Sequence, residues 1–117
     1  MIIAVTGTNT DVGKTVATAA IAAVLKRRGV DVVAAKPIQT GEEAGQGDAS
    51  AVAKLAGIET FERWRYPEPL APNLAARRAG IQTPSLDEVA EWIRSLDTTE
   101  RVVLVEGAGG LLVRLAD

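Results

Sequence analysis

The stretch Gly7–Thr15, "GTNTDVGKT", decides how the chain is read. It comes close to the phosphate-loop pattern G-x-x-x-x-G-K-[ST], but five residues rather than four separate Gly7 from Gly13. A glycine-rich turn between a strand and a helix would look similar. Context favours a phosphate loop. The apolar run Ile2–Thr6 leads straight into it, and Gly13-Lys14-Thr15 opens a long apolar segment with helix-forming composition. Backbone N–H groups of such a loop and of the first helical turn cradle phosphate oxygens. In that setting Lys14 reaches the β- and γ-phosphates, and the Thr15 hydroxyl is a Mg²⁺ ligand.

Working outward, Ile2–Thr6 has no polar alternation, which predicts a strand buried on both faces. The segment from Lys14 to Leu25 is apolar nearly all round and predicts a buried helix. Lys26, Arg27 and Arg28 meet the negative end of its dipole, and Gly29 is placed for a left-handed cap. Asp31–Ala35 ("DVVAA") predicts a second buried strand that ends at Lys36-Pro37. Together these make one strand–helix–strand unit. Thr40–Gly47 ("TGEEAGQG") reads as a loop, Ala49–Leu55 as a short helix closed by Gly57, and the proline-rich Tyr66–Pro72 as irregular chain. Asn73–Ala79 reads as one or two helical turns. Ser85–Ser95 predicts an amphipathic helix with Leu86, Val89, Ala90, Ile93 and Leu96 on one face, and Ser85 with Glu88 as its capping box. Val102–Val105 ("VVLV") predicts a third buried strand running into Glu106-Gly107-Ala108-Gly109-Gly110. The alternation implies a parallel sheet with helices on both faces. It forms one nucleotide-binding domain over residues 1–117. Three strands are few for such a sheet, and the chain stops just after an apolar run, so the expectation is a domain incomplete at its C-terminus.

Composition narrows the chemistry. The 117 residues carry 13 basic and 15 acidic side chains and no histidine or cysteine. Disulfides, thiolate chemistry, Cys/His zinc sites and Ser-His triads are excluded, and a metal would sit on oxygen ligands, as Mg²⁺ or Ca²⁺ do. No basic stretch exceeds Lys26-Arg27-Arg28, so no nucleic-acid footprint is indicated. No apolar run reaches membrane-spanning length and no signal-peptide pattern precedes it, making the cytoplasm the expected compartment.

Parallel sheets bind ligands beyond the carboxyl ends of their strands. Each predicted strand ends there in a chemically loaded residue: the loop from Gly7, then Lys36, then Glu106. Lys36 could be an exposed strand-end lysine, but two lysines near one triphosphate suit phosphoryl transfer. Glu106, between four apolar and four small residues, reads as a Mg²⁺ ligand. Asp48 precedes a helix, and spacing alone does not separate an N-cap from a metal contact. Trp64 and Trp92 read as packing residues.

In order and spacing, "VTGTNTDVGKT", "KPIQTG", "GDA", "YPEPLAPNLAA" and "VEGAGGLLV" closely resemble the dethiobiotin synthetase family. The five-residue loop gap belongs to that family and its relatives. The resemblance implies a phosphate-loop NTPase fold, a three-layer sandwich with a mostly parallel sheet. Because members are usually about twice as long, this chain would supply the N-terminal half. It also implies an ATP- and Mg²⁺-dependent cyclo-ligase of biotin biosynthesis, working as a homodimer. Its substrates are 7,8-diaminononanoate and CO₂ (as bicarbonate in solution). CO₂ forms a carbamate on one amine, the γ-phosphoryl of ATP is transferred to it, and the second amine closes a cyclic urea. Carried onto this sequence, Asp11, Val12, Gly13, Lys14, Thr15 and Val16 hold the phosphates. Thr15, Asp48 and Glu106 take the metal. Lys14 and Lys36 neutralise charge on the transferring group. Glu106, Gly107, Ala108 and Gly109 line the nucleotide, while Thr40 and Thr10 face the diamine. Asn9 and Asp11 stand where the family often has Asp and Glu, which leaves the backbone cradle intact. A cobyrinate-type amide ligase, which shares the loop, and a non-catalytic nucleotide-binding module are the rival readings.

Overall fold

The computed structural model describes residues 1–6, 13–41, 47–66, 74, 77–78, 80 and 82–107. Seven elements follow in chain order: β1 (Ile2–Val5), α1 (Lys14–Arg27), β2 (Asp31–Thr40), α2 (Asp48–Ala56), β3 (Thr60–Tyr66), α3 (Leu86–Leu96) and β4 (Arg101–Glu106). The described strands form one all-parallel sheet in the order β1-β4-β2-β3. Inserting β4 between β1 and β2 brings chain ends far apart in sequence side by side, with Val5 opposite Glu106 and Ala35 opposite Val105.

The alternating faces of the central strands set the layers. On one side Val32, Ala34 and Leu104 pack against Ala19 and Ala22 of α1 and Val52 of α2. On the other, Val33, Ala35 and Val103 pack with Trp92 and Leu96 of α3. The result is a helix–sheet–helix sandwich, as the alternation of elements implied. Alanines at 19 and 22 bring α1 close to the sheet, with Ala22 fully buried. Termini are closed by local chemistry. Gly29 and Gly57 adopt positive φ after α1 and α2. The Ser85 hydroxyl accepts the Glu88 N–H at 3.1 Å, one half of the expected capping box. Among the described residues, no helix is long and apolar enough to cross a membrane.

Four expectations are corrected. A strand not foreseen, β3, lies beside β2 and leaves its sequence half-exposed, with Glu62 and Arg65 paired on it at 2.7 Å. β2 does not stop at Lys36-Pro37 but continues to Thr40. Its ladder with β4 ends at Ala35, while pairing with β3 runs on to Tyr66. Pro37 therefore falls where the described sheet flanks β2 on one side only, a position in which strands accept proline. β1 is a half-exposed edge among the described strands, not buried on both faces. Apolar residues of α1 and α3 also reach the surface. Val16 and Leu86 are each about two-thirds exposed, because each helix touches the sheet along a single stripe. The predicted turns over 73–79 lie largely outside the described residues, as do 67–72 of the proline-rich segment.

Leu104 is fully buried at the centre of the α1/α2 layer. Leu104→Ala is expected to cost about 2–5 kcal/mol of folding stability, read from urea denaturation midpoints. A loss under about 1 kcal/mol would mean that this layer is not the core.

Candidate functional site

Three elements meet at the carboxyl edge of the sheet. β4 delivers Glu106 at its last residue. β2 delivers Lys36 at the first position past its ladder with β4. α1 begins at Lys14 and Thr15, with Gly13 as its N-cap at φ 85°. No Cβ would clash at Gly13, so glycine is required there by the left-handed backbone and not by space.

Lys36 is the hub. It is 3% exposed, Glu106 4% and Lys14 8%; charged side chains are seldom buried to this degree unless paired. The Lys36 ammonium donates to Asp48 Oδ2 at 2.5 Å and to the Gly107 carbonyl at 3.2 Å, and it lies 3.6 Å from Glu106 Oε1. Glu106 Oε1 in turn accepts the Thr15 hydroxyl at 3.0 Å. One lysine thus links the start of α2 to the end of β4, and Glu106 passes that link to the start of α1.

The two carboxyls respond differently to this setting. Burial pushes Asp48 up, but the hydrogen bond and charge of Lys36, with hydrogen bonds from Thr15 and Glu106, outweigh it and hold the carboxyl below its ordinary value. At Glu106 burial wins. It overcomes the attraction of Lys36, is reinforced by the charge of Asp48, and keeps the carboxyl above its ordinary value despite Thr15 and Lys14. Asp48 keeps 36% of its side chain exposed, so the cluster opens toward solvent on the Asp48 side.

Lys14, Thr15, Lys36, Asp48, Glu106 and Gly107 are brought together. Gly13 caps the same helix, and its carbonyl accepts the Ala17 N–H at 2.9 Å. Val16 lies in the first turn of α1 with its side chain turned to the surface. Thr40 ends β2 four residues beyond Lys36, half-buried, with its carbonyl accepting from Gln39 Nε2 at 2.9 Å. Thr10, Asp11, Val12, Ala108 and Gly109 lie outside the described residues. Trp64 and Trp92 pack edge to face, with centroids 6.1 Å apart, on the opposite side of the sheet. Gln39 was not anticipated. It is 5% exposed and accepts the Asp48 N–H through Oε1 at 3.1 Å. The available signal was a polar residue inside a strand that had been taken to end at Lys36.

No group of three or more His, Cys, Asp or Glu side chains clusters among the described residues. The donor set is two carboxylates and one hydroxyl, all oxygen. That composition suits Mg²⁺, which takes few protein ligands and keeps positions for water and substrate phosphates.

A buried lysine and two carboxylates beside a Gly-Lys-Thr helix start lie at the carboxyl edge of a parallel sheet, the edge where such sheets receive ligands. The AAA domain family matches residues 2–117, and the chain belongs to it, which makes the fold that of a phosphate-loop NTPase. Within that class it is similar to the ATP-dependent dethiobiotin synthetases BioD. It is 59% identical to that of Corynebacterium efficiens over 116 residues, covering 99% of this chain and 53% of the relative. Identity to that of Corynebacterium diphtheriae is also 59% over 116 residues, covering 99% and 52%. To that of Mycobacterium leprae it is 50% over 117 residues, again covering 99% and 52%. The chain spans about half the length of the curated relatives it matches.

Replacing Lys36 by Met leaves Glu106 and Asp48 facing each other with no shared counter-charge. Lys36→Met is expected to cost about 3–5 kcal/mol of stability, the penalty for breaking a buried ion pair from one side. Adding Glu106→Gln should recover part of it. A urea midpoint unchanged by Lys36→Met would show that the three groups are not energetically linked.

Proposed function

We propose that this chain supplies the phosphoryl-transfer machinery of an ATP- and Mg²⁺-dependent cyclo-ligase of biotin biosynthesis. The reaction converts 7,8-diaminononanoate and CO₂ into dethiobiotin. The observation that carries the reading is the buried Lys36 ammonium, bonded to Asp48 and close to Glu106, with Glu106 bonded to Thr15. The names of the similar proteins, ATP-dependent dethiobiotin synthetases, support the use of ATP and dethiobiotin as the product.

The chemistry follows from positioning and electrostatics. One amine of the diamine adds to CO₂ and loses a proton, giving a carbamate. A carbamate oxygen attacks the γ-phosphorus of ATP, the bond to the ADP oxygen breaks, and a carbamic–phosphoric anhydride forms. The second amine attacks the carbamoyl carbon, phosphate departs with the bonding pair, a proton is released, and the cyclic urea closes. No step needs a covalent bond to the protein, which agrees with the absence of Cys and His from these 117 residues. The backbone from Asp11 to Val16 holds the phosphates by its N–H groups at the positive end of α1. Lys14 offsets charge on the β- and γ-phosphates. Lys36 faces the transferring group and the carbamate, where negative charge grows. Thr15, Asp48 and Glu106 would hold Mg²⁺, which would supply positive charge to offset that of the phosphates. Glu106, Gly107, Ala108 and Gly109 line the nucleotide, and Thr10 and Thr40 contact the diamine. The resemblance also supports a homodimer in the cytoplasm.

Purified protein given ATP and Mg²⁺ should release phosphate only when both the diamine and bicarbonate are present. Release that needs neither would contradict the reading, as would release driven by an amide-nitrogen donor, and a non-catalytic module would release none. Lys36→Gln keeps a hydrogen-bond donor but not the charge. It should lower kcat on the order of 100- to 1,000-fold with nucleotide affinity little changed. A variant with more than half the original kcat would remove Lys36 from the chemistry.

A further inference from the structure

The helix that carries Asp48 is capped from outside. The N-cap residue of α2 is Gly47, which has no side chain to accept an orphan N–H. Gln39 fills that role from β2. Its Oε1 accepts the Asp48 N–H at 3.1 Å, and its Nε2 donates to the Thr40 carbonyl at 2.9 Å, so both ends of the amide are fixed. Gly47 is pressed against it at φ 110° and ψ −166°; a Cβ there would lie 2.8 Å from Gln39 Oε1 and 2.9 Å from its Cδ. The side chain is 5% exposed.

Lys36 and Gln39 sit three residues apart on one strand and grip the same residue, Lys36 by the carboxylate of Asp48 and Gln39 by its backbone amide. A side-chain cap at position 47 would bring a Cβ into Gln39 and would tie α2 only to its own N-terminus, without fixing it relative to β2. A cap drawn from β2 locks that relationship. We infer that Gln39 is a positioning residue, fixing Asp48 against β2 so that its carboxylate is presented to the divalent cation at the correct place. This rests on the reading of Asp48 as a metal ligand. Asp48 is the more exposed of the two carboxylates and so has the most freedom to lose. A group that orients a ligand from behind typically changes metal affinity about 10- to 100-fold.

The test is Mn²⁺ binding to the protein–ATP complex, followed by the electron paramagnetic resonance signal of free Mn²⁺, alongside ATP binding measured in EDTA. Gln39→Leu, which removes the accepting oxygen, should weaken Mn²⁺ binding about tenfold while metal-free ATP binding stays within about twofold. Gly47→Ala displaces the Gln39 amide without removing it and should reproduce the loss, which keeps the test intact if Gln39→Leu fails to fold. Original Mn²⁺ affinity in Gln39→Leu or Gly47→Ala overturns the role, and so does a parallel loss of metal-free ATP binding, which would mark a merely structural residue. If the unaltered protein binds no Mn²⁺ with ATP, the metal reading of Asp48 itself fails, a result separable from any behaviour of the variants.

Discussion

A buried ammonium with no counter-charge is heavily penalised in a folded protein, and Lys36 is buried. Its partners are therefore fixed requirements of the structure. Asp48, Glu106 and the Gly107 carbonyl surround it, drawn from the start of α2, the end of β4 and the chain just after. Thr15 joins through Glu106. The positions of α1, α2 and β4 at this edge are thus tied to one charge. The arrangement also holds two carboxylates near each other, which bare electrostatics would oppose, and it drives their proton affinities in opposite directions.

The sheet makes the cluster possible. In a parallel sheet all strands end on one edge, so residues distant in sequence become neighbours if their strands are adjacent. β4 separates β1 from β2, and β2 runs on through Pro37–Thr40 past the level of Glu106, where β4 ends. That overhang carries Gln39 and Thr40 beyond the end of β4, with Lys36 at its base level with Glu106, and α2 returns against it with Asp48. A β2 that stopped at Lys36 would offer the charge but nothing to hold the helix that answers it.

Much of this was legible in the sequence. The two-face burial of "DVVAA" and "VVLV" is local, since an unbroken apolar run has few other uses. The glycine turns after α1 and α2, the Ser85 cap and the convergence of Lys36 with Glu106 follow from short-range rules plus parallel topology. β3 was not legible. "TFERWRY" interleaves Glu62, Arg63 and Arg65 with aromatic residues, and its strand state depends on the neighbouring β2 and on the Trp64–Trp92 contact, neither of which is local. Pro37 read as a terminator because a strand flanked on both sides would exclude it; only the register reveals that the described strands flank it there on one side. Asp48 could not be assigned from spacing because a cap and a charged ligand look alike. Gln39 was hidden for the same reason in reverse: it caps a helix that begins nine residues later, a partnership set entirely by tertiary structure.

On the proposed function, the metal and the phosphates of a bound nucleotide meet at the Lys36 cluster. Anomalous scattering from Mn²⁺, in crystals of the protein with a non-hydrolysable ATP analogue, tests it most directly. One peak is expected, bounded by Thr15, Asp48 and Glu106, with the Lys36 ammonium turned from Asp48 toward the γ-phosphate. A peak away from these three residues, or a Lys36 still bridging Asp48 and Glu106 with nucleotide bound, would contradict it.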